Sequence, residues 1–343
     1  MIKLTLKDIA NHFSVSISTV SKALHDSHEI SDKLKHRIQE FAKENHYRPN
    51  KVALNLVNRS TKSIGVVIPD ILNYFFIQVL YGVEKVANER GYSIISCVTD
   101  HSLKKETMTL EMLSSGSVDG LIISSVASER QTSKHIENVK SIVDYQIPLV
   151  MFDRVIDAIE CDKVIVDDFE AGYKATKYLL ETGCKTIAII TPINKTKIGR
   201  LRIGGYKRAL KERDIPFDDK LITPIGAKDD LDFILSFILN DKNIDGILVL
   251  DEITTVKTMA IIKARGYHVP NDIAIIGFTN GQLSKYVTPA LTMVSQHGTY
   301  IGETCAHRLI DRIEGLGSPG NFETKVVKTS LIVRESTRKI PLG

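Results

Sequence analysis

The chain has 343 residues, of which 43% are hydrophobic, so it is long enough to bury more than one core. No apolar run reaches the roughly 18 to 20 residues that a membrane helix needs, and the first residues, "MIKLTLKDIANHF", lack the apolar core of a signal peptide. The four cysteines are scattered without a C-x-x-C pair, which argues against a disulfide framework or a thiolate metal site. We therefore expect a cytoplasmic protein with no membrane partner, no metal and no cofactor.

The net charge of +4 is unevenly divided along the chain. Residues 1–60 carry ten lysines and arginines against six acidic residues, whereas the remainder carries thirty-five of each. A small basic module attached to a neutral body indicates a polyanionic partner for the module alone.

The first segment has the apolar spacing of short helices. Thr5 and Asp8 form a T-x-x-D start signal, and the apolar positions that follow predict a helix over 6–13. A third helix is predicted to begin after a Ser31 cap and to stop near residues 45–47.

Between these helices lies "SVSISTVSKAL", residues 14–24, which is rich in hydroxyl side chains. Ser16 is well placed to cap a helix over 17–24, with Val20 and Leu24 on its apolar side. The other side displays Ile17, Ser18, Ser21 and Lys22. Two short helices joined by a three-residue turn are typical of a helix-turn-helix, whose second helix enters the major groove of DNA. A helical bundle without a ligand is the alternative, and a nucleophilic serine is disfavoured because local spacing holds no histidine beside it.

Residues 49–60, "PNKVALNLVNRS", predict a helix of about two turns. Isolated helices this short are marginal in water, so we expect a linker that becomes helical only when a partner orders it.

From residue 63 onward, Val- and Ile-rich runs alternate with amphipathic segments. The predicted strands are 63–68, 92–98, 120–124, 148–151, 163–166, 186–190, 246–250 and 273–277. The predicted helices are 75–90, 103–114, 133–144, 169–182, 199–213, 231–240 and 253–265. This alternation predicts two doubly wound α/β lobes with parallel sheets covered on both faces.

Catalytic signatures are missing from the sequence. It contains no Walker A loop, G-x-G-x-x-G after a strand, H-E-x-x-H or G-x-S-x-G. The adjacent carboxylates Asp167 and Asp168 are interpreted as helix caps rather than as an acid–base pair. We therefore expect a binding protein and not an enzyme.

Several motifs together resemble the LacI family of transcriptional regulators along nearly the whole chain. They are "TLKDIANHFSVSISTVSKAL", "IGVVIPDILNYFF", "PLVMFDR", "VIVDDFEAGYKATKYLLETG", "RIGGYKRAL" and "DIAIIGFTNGQLSKYVTPALTMV". The resemblance implies an N-terminal all-α helix-turn-helix head (1–48), a hinge helix (49–60) and a two-lobed, periplasmic-binding-protein-like effector and dimerisation domain (61–343). It implies lobe crossings near 160, 290 and 323, so that 61–160 and 290–322 form one lobe and 161–289 and 323–339 the other.

The resemblance also implies which residues contact a double-stranded DNA operator. Base reading falls to Ile17, Ser18 and Lys22, whereas Ser16, Thr19 and Ser21 lie nearer the phosphates, and Thr5 also contacts the DNA. Asn50, Ala53 and Leu56 match the hinge, where Leu56 acts as a minor-groove wedge or else packs on the body. Lys22 replaces the arginine common at its position, and lysine lacks the bidentate fork that reads guanine.

A small effector is implied between the lobes of a homodimeric regulator, in most cases a repressor of carbohydrate-use genes. The matched positions are Asn73, Tyr74, Phe76, Asp153, Arg202, Asp251 and Thr279. Thr279 stands where many sugar-responsive members have aspartate, and the chain has no tryptophan to stack on a sugar. A neutral sugar, a uronic acid and a sugar phosphate facing Arg202 all remain open. A sugar-transport component, the main rival, is disfavoured because residues 5–56 resemble a DNA-binding head.

Overall fold

The computed structural model describes residues 4–47, 60–126, 133–226, 228–241, 243–318 and 320–340. The chain divides into two compact units, residues 1–61 and residues 62–343, each with its own core. In the described ranges, no helix combines the length and the apolar character needed to cross a bilayer.

The first unit is a three-helix head. Its helices are α1 (Leu6–Phe13), α2 (Ile17–Leu24) and α3 (Asp32–Glu44), as the apolar spacing predicts. Ile9, Val20 and Ile38, one from each helix, are fully buried against one another. The helices therefore form a core whose geometry fixes which side of α2 faces outward.

The second unit contains two six-stranded sheets, so the predicted pair of α/β lobes is confirmed. The first sheet, in spatial order, holds β11 (Thr324–Val327), β5 (Asp162–Val166), β4 (Leu149–Phe152), β3 (Gly120–Ile123), β1 (Ser63–Ile68) and β2 (Ser93–Val98). The second holds β12 (Ser330–Ile332), β10 (Thr292–Ser295), β9 (Ala274–Phe278), β8 (Gly246–Val249), β6 (Ile187–Thr191) and β7 (Ile222–Pro224). The described pairings are parallel except for β10 with β12.

Helices cover both faces of each sheet. They are α4 (Tyr74–Glu89), α5 (Leu103–Ser114), α6 (Ser133–Asp144), α7 (Asp168–Glu181), α8 (Lys197–Lys211), α9 (Leu231–Asp241), α10 (Glu252–Ala264), α11 (Leu283–Tyr286) and α12 (Gly298–Ile313). Helices α7 and α8 pack closely against each other at Arg202, one of the predicted effector residues. A Cβ on Gly172 of α7 would lie 2.1 Å from the carbonyl oxygen of Arg202 on α8. Only glycine fits there, and the close approach brings the two helices' side chains within hydrogen-bonding reach.

The predicted lobe crossings near 160, 290 and 323 are wrong, because the chain changes lobe later each time. It leaves the first sheet after β5, leaves the second after β10, and returns to the second between β11 and β12. Thus β5 and β11 belong to the first lobe and β10 to the second, opposite to the prediction. The reason is physical: a buried strand has the same apolar pattern whichever sheet it pairs with, so its own sequence does not show the lobe.

The eight predicted strands are present, whereas β7, β10, β11 and β12 were not predicted. All four lie at or next to a sheet edge and have only three or four residues, which leaves little pattern to detect. Helices α11 and α12 were missed as well.

Candidate functional site

The head presents one edge of α2 to solvent. Ser16 caps the helix as predicted, its Oγ accepting from the backbone amide of Thr19 at 3.1 Å. Its Oγ also lies 2.8 Å from the hydroxyls of both Ser18 and Thr19. Ile17 is 48% exposed although it is apolar, because Val20 holds the opposite side of the helix in the core. The result is a small exposed surface at the start of α2 on which three neighbouring hydroxyl groups can approach DNA.

Lys22 lies on the same exposed edge, and its ammonium group forms an ion pair with Glu29, beyond the end of α2. Sequence reasoning missed this pair because the two residues belong to no common helix. Ser21 is half-buried, and its carbonyl oxygen lies 2.8 Å from Nδ1 of His25. To contact DNA, Lys22 must first give up its ion pair with Glu29. It therefore contributes less to DNA affinity than a lysine without such a pair would.

Thr5 forms the start of α1. Its backbone amide and hydroxyl donate to Asp8 Oδ2 at 2.9 and 2.6 Å, and the Asp8 amide donates back to Thr5 Oγ1 at 3.3 Å. These hydrogen bonds lower the pKa of Asp8. The predicted start signal is therefore a complete capping box. The hinge positions Asn50, Ala53 and Leu56 lie outside the described residues.

In the second unit, the predicted effector residues follow the carboxyl ends of strands in both lobes, except for Arg202, which lies within α8. Asn73 caps α4, its Oδ1 accepting from the Phe75 amide at 3.0 Å, and Tyr74 next to it is half-buried. Phe76 is only 1% exposed and packs edge-on to Phe152 in the core of the first lobe. Its ring is therefore covered by protein in this structure.

Asp153 and Arg154 follow β4 in the first lobe. Asp153 adopts a left-handed backbone conformation (φ 55°), and its carboxylate lies 3.9 Å from Nε of Arg154. Burial raises the pKa of Asp153 to about 6, with Arg154 and Arg202 opposing the rise. The other end of the Arg154 guanidinium lies 3.3 Å from Nδ1 of His101, whose pKa is lowered by burial and by this arginine.

Arg202 of α8 is buried, and its guanidinium contacts three other groups of the second lobe. Its Nε donates to Asp168 Oδ1 at 2.8 Å, its Nη1 donates to the Leu250 carbonyl at 3.2 Å, and its guanidinium lies over the Phe278 ring at 4.1 Å. Burial raises the pKa of Asp168, and Arg202 opposes the rise. Asp168 is thus a site residue that sequence reasoning missed.

The interpretation of Asp167 and Asp168 as helix caps is wrong. Asp167 precedes α7 but makes no capping hydrogen bond; its Oδ1 accepts from the amide of Thr329 at 2.7 Å. Asp168 turns to Arg202 instead. Thr329 and Arg202, the partners of the two aspartates, lie far from them in the sequence, so the local sequence around Asp167 and Asp168 does not reveal these contacts.

Asp251 and Thr279 complete the second lobe's side. Asp251 caps α10 through Oδ1, which accepts from the Thr254 amide at 2.9 Å, whereas its Oδ2 is buried with no hydrogen-bond partner among the described residues. Thr279 is buried in a left-handed conformation (φ 70°) and donates its hydroxyl to Gln296 at 3.0 Å.

A cavity of about 460 Å³ lies where the two lobes meet. Asp153 and Asp168 both line it, together with Ile198 and Leu201 from α8. Lys197 at its mouth bridges to Asp157 of the first lobe at 2.7 Å. Of the predicted effector residues, Asp153 is the one that lines this cavity, and its other charged lining residues are Arg154, Asp157, Lys163, Asp168, Lys197 and Arg200. The described residues contain no group of three or more metal-ligating side chains.

The chain is similar in sequence to known families and proteins. Residues 5–50 match the model of bacterial regulatory proteins of the lacI family, and residues 176–337 match that of a periplasmic binding protein-like domain. The HTH-type transcriptional regulator DegA of Bacillus subtilis is 32% identical, covering 98% of each chain.

Two solved structures show the same architecture. A ribose-bound LacI family regulator from Enterococcus faecium is 28% identical, with a TM-score of 0.70 over 80% of this chain and 98% of that one. The Lac repressor dimer bound to operator and the anti-inducer ONPF is 22% identical and shows the same fold, with a TM-score of 0.83 over 98% of this chain and 100% of that one. The chain belongs to the LacI family of DNA-binding transcriptional regulators.

Proposed function

We propose that this chain is a repressor of carbohydrate-use genes that works in the cytoplasm, where it binds a pseudo-palindromic operator as a homodimer. A sugar-like effector in the cleft controls its affinity for the operator. The observation that carries the DNA-reading part is the exposed edge of α2, where Ile17, Ser18 and Lys22 face outward while Val20 is buried. Dimeric repressors read two half-sites through such helices, one from each subunit.

The cleft supports control by a small molecule. Asp153 and Arg154 of the first lobe and Asp168 of the second line one cavity, and such groups bind hydroxyls with directional, charge-assisted hydrogen bonds. A molecule that contacts both Asp153 and Asp251 interacts with the two lobes at once, so it favours one arrangement of the lobes over others. A shift from 1:99 to 99:1 between two states requires about 5.5 kcal/mol of differential affinity.

DNA reading is tested by selecting operators from a random duplex library with the full-length protein, followed by mobility shifts. Ile17→Ala and Lys22→Ala should weaken specific complexes more than non-specific ones. Lys43→Ala, an exposed lysine on α3, is the matched control and should lower both equally or not at all. If all three variants behave alike, α2 does not read bases.

Effector control is tested by operator release in the presence of a panel of sugars. Asp251→Asn keeps the capping oxygen but removes the negative charge and replaces the Oδ2 acceptor with an amide donor, so at least tenfold more sugar should be needed for operator release. Asp219→Asn, an exposed carboxylate away from the cleft residues, should leave release unchanged. Release that is insensitive to Asp251→Asn would place the effector elsewhere.

A further inference from the structure

Lys62, the first residue of the second unit, has an unusual backbone conformation. Its φ of 47° is left-handed, a region that a lysine rarely adopts unless contacts impose it. Both of its backbone polar groups are bound: the amide donates to Asp119 Oδ2 at 2.9 Å, and the carbonyl accepts from the Ser93 amide at 2.8 Å. Residues far along the chain therefore fix the backbone where the second unit begins.

The side chain of Lys62 is held as well. Its ammonium donates to the Tyr92 hydroxyl at 3.1 Å, lies 4.2 Å from the centre of the Tyr92 ring and is 3.6 Å from Glu314 Oε1. The Tyr92 hydroxyl donates in turn to Glu314 Oε1 at 3.4 Å, and Arg90 Nη2 donates to Glu314 Oε2 at 2.6 Å. We refer to Lys62, Asp119, Tyr92 and Glu314 as the junction anchor.

The first sheet brings the junction anchor together. Strand β1 lies between β3 and β2, and Lys62, Asp119 and Tyr92 each immediately precede one of these three parallel strands. Glu314 follows directly after α12. Asp153 follows the opposite, carboxyl end of a strand of the same sheet, so the junction anchor is separate from the cavity between the lobes.

Building on the proposed binding of two half-sites by a homodimer, we infer that the junction anchor positions the DNA-binding heads for a particular half-site spacing. Lys62 acts through the chain that precedes it, and not by contact with DNA. Once one head has bound its half-site, the effective concentration of the second head at the other half-site depends on how narrowly its tether is restricted. A fixed start of the second unit raises that concentration at one spacing and lowers it at others.

Lys62→Met is the test variant, because methionine keeps the apolar stem and removes the ammonium from Tyr92 and Glu314. Lys85→Met is the matched control. Lys85 of α4 pairs with Glu303 of α12 at 2.9 Å, and these side chains are 51% and 27% exposed, against 55% and 30% for Lys62 and Glu314. Each variant loses one positive charge and one ion pair of similar exposure. A difference in DNA binding between them therefore reports the place of the lost contact.

The experiment uses full-length protein and an operator selected from a random duplex library with the wild type. Fluorescence anisotropy measures binding to the full operator, to a single half-site and to an operator with one base pair inserted at its centre. Lys62→Met should bind the full operator about fivefold more weakly and prefer the natural spacing about fivefold less, because the second head is less restricted. Its affinity for the half-site should stay within about twofold of the wild type. Lys85→Met should match the wild type on all three duplexes.

Two further variants test the geometry of the junction anchor. Lys62→Arg keeps a cation that reaches Tyr92 and Glu314, so it should retain most of the spacing preference. Asp119→Ala releases the Lys62 amide and removes a negative charge. A purely electrostatic effect would tighten DNA binding in Asp119→Ala, whereas loss of positioning should weaken binding to the full operator and relax the spacing preference.

Several results would overturn the inference. Equal losses by Lys62→Met on the half-site and the full operator would show that Lys62 contacts phosphates. An equal loss in Lys85→Met, or an unchanged spacing preference in both Lys62→Met and Asp119→Ala, would show that the junction anchor serves the fold alone. A wild type that selects no operator, or binds the full operator no better than the half-site, would instead contradict the proposed function.

Discussion

Arg202 and Asp168 are joined by a 2.8 Å hydrogen-bonded ion pair inside the second lobe, although 34 residues separate them in the chain. The pair depends on the glycine-mediated approach of α7 to α8, and the Phe278 ring covers the guanidinium face. Since both groups are buried, each is strongly dependent on the other, and removing one leaves an uncompensated charge.

Replacing one member of this ion pair should lower the free energy of unfolding more than replacing both. We expect Arg202→Met to lower the free energy of unfolding by about 3 to 5 kcal/mol, because Asp168 is left buried and unpaired. The double variant Arg202→Met with Asp168→Leu should recover most of that loss, since it buries no charge. Urea unfolding of the wild type, both single variants and the double variant measures the coupling. Strictly additive losses would show that the pair does not act as a unit.

Asp153 should make stability depend on pH. Its pKa is raised by burial to about 6, so the folded state holds its proton more tightly than the unfolded state does. The stability that protonation provides is complete below the unfolded value of 3.8 and is lost as the pH rises through 6. Asp153→Asn should therefore stabilise the protein at pH 7 by up to about 3 kcal/mol, a value that already includes the attraction between Asp153 and Arg154.

The measurement is the melting temperature of Asp153→Asn and wild type between pH 4 and pH 8. Their difference should be largest above pH 6 and should shrink toward pH 4. Asp219→Asn, on the exposed surface, serves as the control for a general effect of one lost charge. A difference that stays constant across this range would show that ionisation of Asp153 does not strain the folded state.

Local features of the fold were predictable, whereas partnerships between distant segments were not. Ser16 was identified as a cap because capping involves residues three apart, and the α/β alternation follows from apolar runs of four to six residues. Asp168 was missed because its partner lies on another helix. The lobe crossings failed for the same reason: which sheet accepts β5 or β10 depends on pairing with strands elsewhere in the chain.

The ion pair between Lys22 and Glu29 should restrain DNA binding. Both side chains are about half exposed, so the pair itself is worth at most about 1 kcal/mol. Glu29→Gln frees the ammonium group for DNA and should tighten operator binding by roughly twofold to fivefold. Fluorescence anisotropy with an operator duplex and a scrambled duplex, at two salt concentrations, checks both affinity and salt dependence.

A matched background shows whether the gain passes through Lys22. In Lys22→Ala, the additional Glu29→Gln change should have no further effect on operator affinity. If Glu29→Gln tightens binding equally in both backgrounds, its effect comes from reduced repulsion between the carboxylate and the phosphates, and not from the ion pair.

Thr279 combines a strained backbone with a buried hydrogen bond. Its φ of 70° is unfavourable for a β-branched residue, and its hydroxyl donates to Gln296 Oε1 at 3.0 Å. Asparagine tolerates the left-handed region and retains a donor, so Thr279→Asn should raise the free energy of unfolding by about 1 kcal/mol. Thr279→Val keeps the shape and the strain but leaves the Gln296 oxygen without its donor, and should lower it by about 1 to 3 kcal/mol. Urea unfolding compares the three proteins, and a Thr279→Val variant as stable as wild type would show that the hydroxyl contributes nothing to the fold.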